Sequence, residues 1–162
     1  MRRMSRLNGT GPMLSATPIF RIEAEVGQIQ RFGHTPYGER RVIDITGGRV
    51  RGPRLSGRIL PGGTDRQIVR TDGVTDLTAR YSIETDAGGL ILVNSDGLRH
   101  GPPEVLAAIA RGEPVPPSAY YFRTAMRFET ADPASAWLNN IIAIATGARE
   151  QRAVLLDVYE VV

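Results

Sequence analysis

Phe20-Arg21-Ile22-Glu23-Ala24-Glu25-Val26 alternates apolar and charged residues without a break. Phe20, Ile22, Ala24 and Val26 fall on one side of an extended chain; Arg21, Glu23 and Glu25 fall on the other. A period of two marks a strand with one dry face and one wet face. The pattern returns in Tyr121–Phe128, where Phe122, Thr124, Met126 and Phe128 share one face and Tyr121, Arg123, Ala125 and Arg127 the other.

Further strand-like segments flank these two, at residues 41–45, 49–51, 54–60, 75–85, 89–94, 140–146 and 153–162. Thr46-Gly47-Gly48, Pro61-Gly62-Gly63, Asp86-Ala87-Gly88 and Ser95-Asp96-Gly97 read as turns between them. One segment differs. Val105, Leu106 and Ile109 are spaced for a helix, with Pro102-Pro103 at its start and Gly112 at its end, which predicts a short helix over 102–112. Pro133–Trp137 reads as a second helical turn. The expected fold is all-β: an antiparallel β-barrel of about 8–10 strands with one short helix. Residues 14–162 form a single domain behind a flexible leader at 1–13. A closed barrel leaves no free sheet edge, and its interior has room for one small ligand.

Composition narrows the chemistry. The chain has 162 residues, 20 basic and 17 acidic, for a net charge of +3. Arg2, Arg3 and Arg6 account for that excess, so the body is neutral and carries no basic footprint for nucleic acid. Every basic residue is Arg. Without Lys there is no Schiff base and no P-loop lysine. Without Cys there is no thiolate nucleophile, disulfide or thiolate metal site. His34 and His100 are the two histidines, too few for a three-histidine zinc site. We expect no metal and no cofactor. There is no apolar run of membrane-spanning length and no signal-peptide core, so the expected setting is cytoplasmic, with no membrane partner.

Several motifs stand in a recognisable order: Pro36-Tyr37-Gly38-Glu39-Arg40-Arg41, Ile45-Thr46-Gly47-Gly48, Leu60-Pro61-Gly62-Gly63-Thr64-Asp65, Ala79-Arg80-Tyr81, Tyr121-Phe122-Arg123-Thr124, Phe128-Glu129-Thr130 and Trp137-Leu138-Asn139. In order and spacing, residues 14–162 resemble the domain-of-unknown-function family DUF3237, also catalogued as UPF0311. The resemblance implies a compact antiparallel β-barrel and names no reaction. That family usually carries an aromatic residue after Gly-Gly-x-Asp, where this chain has Arg66.

These motifs supply the candidate site. Asp65, in a glycine-rich turn, is a carboxylate for acid–base work, and Arg123 a clamp for a carboxylate or enolate. Arg80, Tyr121, Asn139 and Tyr37 are candidate ligand-binding residues, and Tyr81 is a further pocket hydroxyl. Asp65, Arg80, Arg123 and Asn139 are expected to converge on one cavity. The function this suggests is small-molecule binding, with cofactor-independent isomerase, lyase or cyclase chemistry by proton transfer on a small carbonyl or carboxylate compound. A non-catalytic carrier, or an interaction module with a filled barrel, uses the same fold. Asn140–Ala145 is apolar on both faces, so its outer face needs a cover, and a homodimer is expected.

Overall fold

The computed structural model describes Gly9 and residues 11–162. The expected leader at 1–13 lies mostly outside the described residues. Nine strands follow: β1 (Ala16–Thr35), β2 (Gly38–Arg51), β3 (Ser56–Ile59), β4 (Gly63–Val69), β5 (Thr75–Thr85), β6 (Leu90–His100), β7 (Tyr121–Thr130), β8 (Ala143–Arg149) and β9 (Ala153–Val161). A helix, α1 (Pro103–Ala110), lies between β6 and β7. A 3-10 segment over Pro133–Asn140 links β7 to β8.

All pairings are antiparallel and the sheet closes on itself. β1 pairs with β9 on one side and β2 on the other. β3 and β4 share one position in the wall, each bridging β2 to β5. From β5 the wall runs through β6, β7 and β8 back to β9. The expected antiparallel barrel and its short helix are present.

Two glycine motifs differ from their turn reading. Ser95-Asp96-Gly97 lies inside β6, paired along its length with β5 and β7. Gly97 is there for close packing: a Cβ would stand 2.5 Å from the Arg123 carbonyl oxygen. Thr46-Gly47-Gly48 lies inside β2, at a register shift opposite Glu25 and Val26, and so marks a β-bulge.

The interior changes character along its length. At one end Ile22, Ile83, Ile91, Met126 and Leu138 are fully buried. The 3-10 segment closes this end, and Arg54 lies 3.9 Å over the Trp137 ring. At the other end Arg99, Gln67 and Thr75 are buried. There the β1–β2 hairpin continues past β9, whose pairing with β1 stops at Glu25. α1 lies across this open end, where Leu106 and Ile109 line the chamber beneath it.

Candidate functional site

Strand parity decides which side chains enter the barrel. On β6 the inward positions run Ile91, Val93, Ser95 and Arg99, all buried. On β8 Ala143 and Ala145 are buried, and Gly147 and Arg149 continue the same face. Both strands thus begin in the apolar end and finish on an arginine at the open end. β2 brings in Arg41, β4 Asp65 and Gln67, and β5 Leu77, Ala79 and Tyr81.

Two chambers result. The mouth chamber, about 310 Å³, is walled by Arg41, Gln67, Arg99, Arg149, Leu106 and Ile109 among others. Deeper lies a small inner cavity of about 40 Å³, walled by Asp65, Tyr81, Ser95, Thr124 and apolar neighbours. Arg99 lines both. Gly147 keeps the passage shaped, because a Cβ there would meet the Phe122 ring at 2.5 Å.

A short relay crosses the mouth. Arg41 Nη2 donates to Gln67 Oε1 at 2.7 Å, and Gln67 Nε2 donates to Asp65 Oδ2 at 2.8 Å. Asp65 Oδ1, the Tyr81 hydroxyl, the Thr124 hydroxyl and Arg41 Nε are buried without a partner. Buried polar atoms are normally satisfied, so three orphans around the inner cavity, with a fourth at the mouth, mark a place built for something else. The Tyr120 hydroxyl accepts from the Arg149 backbone N–H at 2.8 Å and fixes the rim.

The electrostatics follow from burial. Desolvation pushes the Asp65 carboxyl above the usual carboxylate range, against the Gln67 hydrogen bond and the pull of Arg99. Burial, reinforced by the Asp65 charge, pushes the Tyr81 hydroxyl up, so it stays protonated and can donate. Burial lowers Arg99 to about 10, with repulsion from Arg41 and Arg149 adding to it. Arg41 and Arg149 are lowered by the same desolvation.

The expected convergence of four residues does not form. Asp65 does enter the barrel, from within β4 rather than from a turn. Arg123 and Tyr121 are exposed on the outer face of β7, because Phe122, Thr124, Met126 and Phe128 fill the interior. Arg80 points outward from β5 and pairs with Asp96 at 3.2 Å. Asn139 is exposed and clasps the Thr130 backbone, accepting from its N–H at 2.8 Å and donating to its carbonyl at 2.9 Å. Tyr37, at the β1–β2 hairpin tip, is 79% exposed. The arginines that line the site are instead Arg41, Arg99 and Arg149. Parity could have found Arg99, by counting from Ile91 through Val93 and Ser95 without breaking the strand at Gly97.

The fold and site define a class: a small closed antiparallel barrel with one apolar, sealed end and one polar, arginine-lined mouth under a helix. The family described as "Protein of unknown function (DUF3237)" matches residues 14–161, and the chain belongs to it. A UPF0311 protein of Rhodopseudomonas palustris is 41% identical over 150 residues, covering 93% of this chain and 98% of its own length. Its crystal structure matches with a TM-score of 0.90, covering 94% of this chain and 100% of that one. A β-barrel-like protein of Acinetobacter baumannii is 37% identical, with a TM-score of 0.83 over 94% of this chain and 99% of its own. An enzyme from Penicillium herquei, 22% identical, shares the fold with a TM-score of 0.69 over 98% of this chain and 100% of its own.

Proposed function

We propose that the protein is a cofactor-independent enzyme that moves a proton on a small carbonyl compound held in the barrel, as an isomerase, lyase or cyclase. One observation carries the reading: Asp65 Oδ1 and the Tyr81 hydroxyl are both buried at the inner cavity, and neither has a partner. A desolvated carboxylate is a stronger base than an exposed one. Asp65 takes the proton from the carbon beside the carbonyl, and the electron pair moves onto the carbonyl oxygen. The Tyr81 hydroxyl hydrogen-bonds that oxygen as charge develops. Asp65 then returns the proton at a second position, or a leaving group departs. Among the described residues the inward polar groups include no imidazole, thiol or amine, and we assign the acid–base work to these two. That the same fold serves an enzyme in Penicillium herquei agrees with this reading.

The test is solvent-deuterium exchange followed by proton NMR, with a panel of small ketones, enones and 2-oxo acids. Exchange catalysed by the native chain and lost in Asp65→Asn is the expected result. Saturable binding without exchange across the panel would favour a carrier. No helix of the described residues is long and apolar enough to cross a membrane. A cytoplasmic setting belongs to the proposal, and cell fractionation checks it.

We also propose that the chain works as a twofold dimer through the outer wall of β6, β7 and β8. Leu90, Leu92, Leu98, Tyr121, Ile142 and Ile144 are all exposed on that wall or at its edge. α1 covers the mouth and leaves the wall bare. The wall carries Arg123 and Arg127 beside Asp96 and Glu129, with Arg80 of β5 and Asp157 of β9 at its two edges. Interspersed charges of both signs suit a self-complementary face. Light scattering should give a dimer that Ile144→Asp converts to a monomer. A monomeric native chain would overturn the proposal.

A further inference from the structure

We propose that the mouth chamber is an anion site that selects a small organic carboxylate, gripped by Arg41, Arg99 and Arg149. This rests on the proton-transfer reading only in taking that carboxylate as the substrate; the site itself is argued separately.

Arg99 is 8% exposed and lines both chambers. Its guanidinium faces the Phe122 ring at 5.6 Å, and among the described residues no side chain or carbonyl accepts a hydrogen bond from it and no carboxylate lies within ion-pair distance. Arg80, Arg58 and Arg21, by contrast, stand exposed on the barrel surface, each against a carboxylate. Those three are solvated and paired, whereas Arg99 is buried and has no carboxylate against it. A buried charge without a counter-charge is costly. Here two more arginines stand near enough to repel it, and both raise the cost.

Two carboxylates stand near the three arginines, Asp65 at the inner cavity and Glu150 in the wall of the mouth chamber, and among the described residues neither forms an ion pair with any of the three. Gln67 stands between Asp65 and Arg41, so that side of the Asp65 carboxylate is already occupied. Arg149 reaches the Glu150 and Ala153 carbonyls through one nitrogen, Nη1. That contact holds its guanidinium at the rim and leaves its other donors for a ligand. Three planar forks around one chamber suit an oxyanion with two or three acceptors.

Size and wall chemistry set the rest of the ligand. Ile29, Ile43, Leu106 and Ile109 give the mouth chamber apolar walls beside the arginines. The inner cavity holds about 40 Å³, room for about three water-sized groups at roughly 10–15 Å³ each. A carboxylate on the arginines thus places a short carbon segment beyond Arg99, toward Asp65 and Tyr81. The substrate class is a small oxo or unsaturated carboxylic acid whose reactive carbon lies a few atoms from its carboxylate.

The test is thermal unfolding of the full chain with acetate, crotonate, succinate and benzoate, each against its neutral amide and against inorganic phosphate. A ligand that binds only the native state raises the midpoint. At least one carboxylate should raise it, its amide should not, and Arg99→Met should weaken the apparent affinity at least about tenfold. Arg80→Met, on the outer wall, should leave the shift in place. No shift from any carboxylate, or equal shifts from the amides, would overturn the inference. A larger shift from phosphate than from every carboxylate would overturn the carboxylate assignment. Asp65→Asn separates the two proposals: it should keep the carboxylate shift while abolishing deuterium exchange. A carboxylate shift with no exchange in the native chain would sink proton transfer alone. Exchange on neutral ketones with no carboxylate shift would sink the anion site alone.

Discussion

The two ends of this barrel are built from the same strands to opposite specifications. At the sealed end the inward side chains are Ile22, Ile83, Ile91 and Met126, with Leu138 packed over them, and all are fully buried. At the mouth they are Arg41, Gln67, Arg99 and Arg149, with Asp65 and Tyr81 one layer down. Stability resides at the sealed end and function at the mouth. Close-packed apolar side chains hold the closed sheet together. The mouth holds buried charges and orphaned polar atoms that a folded chain tolerates only because the other end is secure. β6 and β8 each span both specifications, so a single strand carries the change from core to site.

The largest effect should expose that contrast directly. Met126→Ala at the sealed end removes a fully buried side chain and should destabilise by about 2–5 kcal/mol. Arg99→Met at the mouth should leave stability unchanged or raise it, because it removes a buried charge with no ion-pair partner and keeps a side chain of similar reach. Denaturant unfolding of both variants reads the sign. Equal losses from the two substitutions would show that the mouth is as structural as the core.

A smaller effect should come from the boundary between the two regions. Gly147→Ala puts a Cβ against the Phe122 ring at 2.5 Å. Overpacking of this kind costs about 1–3 kcal/mol. The displaced ring should also narrow the passage to the inner cavity, so binding should suffer beyond the loss in stability. A thermal midpoint close to native, with unchanged ligand binding, would mean that Phe122 can move freely and does not shape the site.

How much of this could be read from the sequence follows the same division. The alternation of Phe20–Val26 and of Phe122–Phe128 assigns the core face correctly, since apolar and charged residues separate cleanly there. The helix over 102–112 was legible from its prolines and terminal glycine. The mouth was not legible, because its inward residues are charged and look like wet-face residues. Arg99 is read as inward only if β6 runs unbroken through Gly97, and Gly97 looks like a turn until its tight packing against β7 is known. Asp65 was found through its motif. Arg123 and Arg80 were misplaced because a motif does not say which way a strand faces.

The pH dependence sharpens the contrast at a single side chain. Burial raises the Asp65 carboxyl above its unfolded value. The folded protein therefore holds that proton more tightly than the unfolded chain does. The stabilisation is fully present below the ordinary carboxylate range and is lost as pH rises through the raised value. Asp65→Asn carries no such proton, so its stability relative to native should improve as pH rises across that window. Matched melts from acid to neutral pH check the sign. The exchange reaction should show the mirror image, rising over the same window as the base ionises. A stability difference that does not change with pH would mean that the carboxyl is solvated.

The smallest effect belongs to the arginines outside. Arg80 holds Asp96 across an exposed wall, and both side chains are about half exposed (47% and 60%). Arg123 lies over the Tyr121 ring at 5.2 Å and donates to the Phe122 carbonyl, facing away from the barrel interior. Solvent and salt screen such contacts, so Arg80→Ala and Arg123→Ala should each move stability by no more than about 0.5 kcal/mol. Neither should alter carboxylate binding, because each guanidinium is on the far side of the wall from the chambers. Arg123→Ala should instead act on the dimer, weakening association if the β6–β8 wall is the interface. A large loss of ligand affinity in either variant would mean that the wall communicates with the interior. The separation between a functional inside and an associating outside would then have to be redrawn.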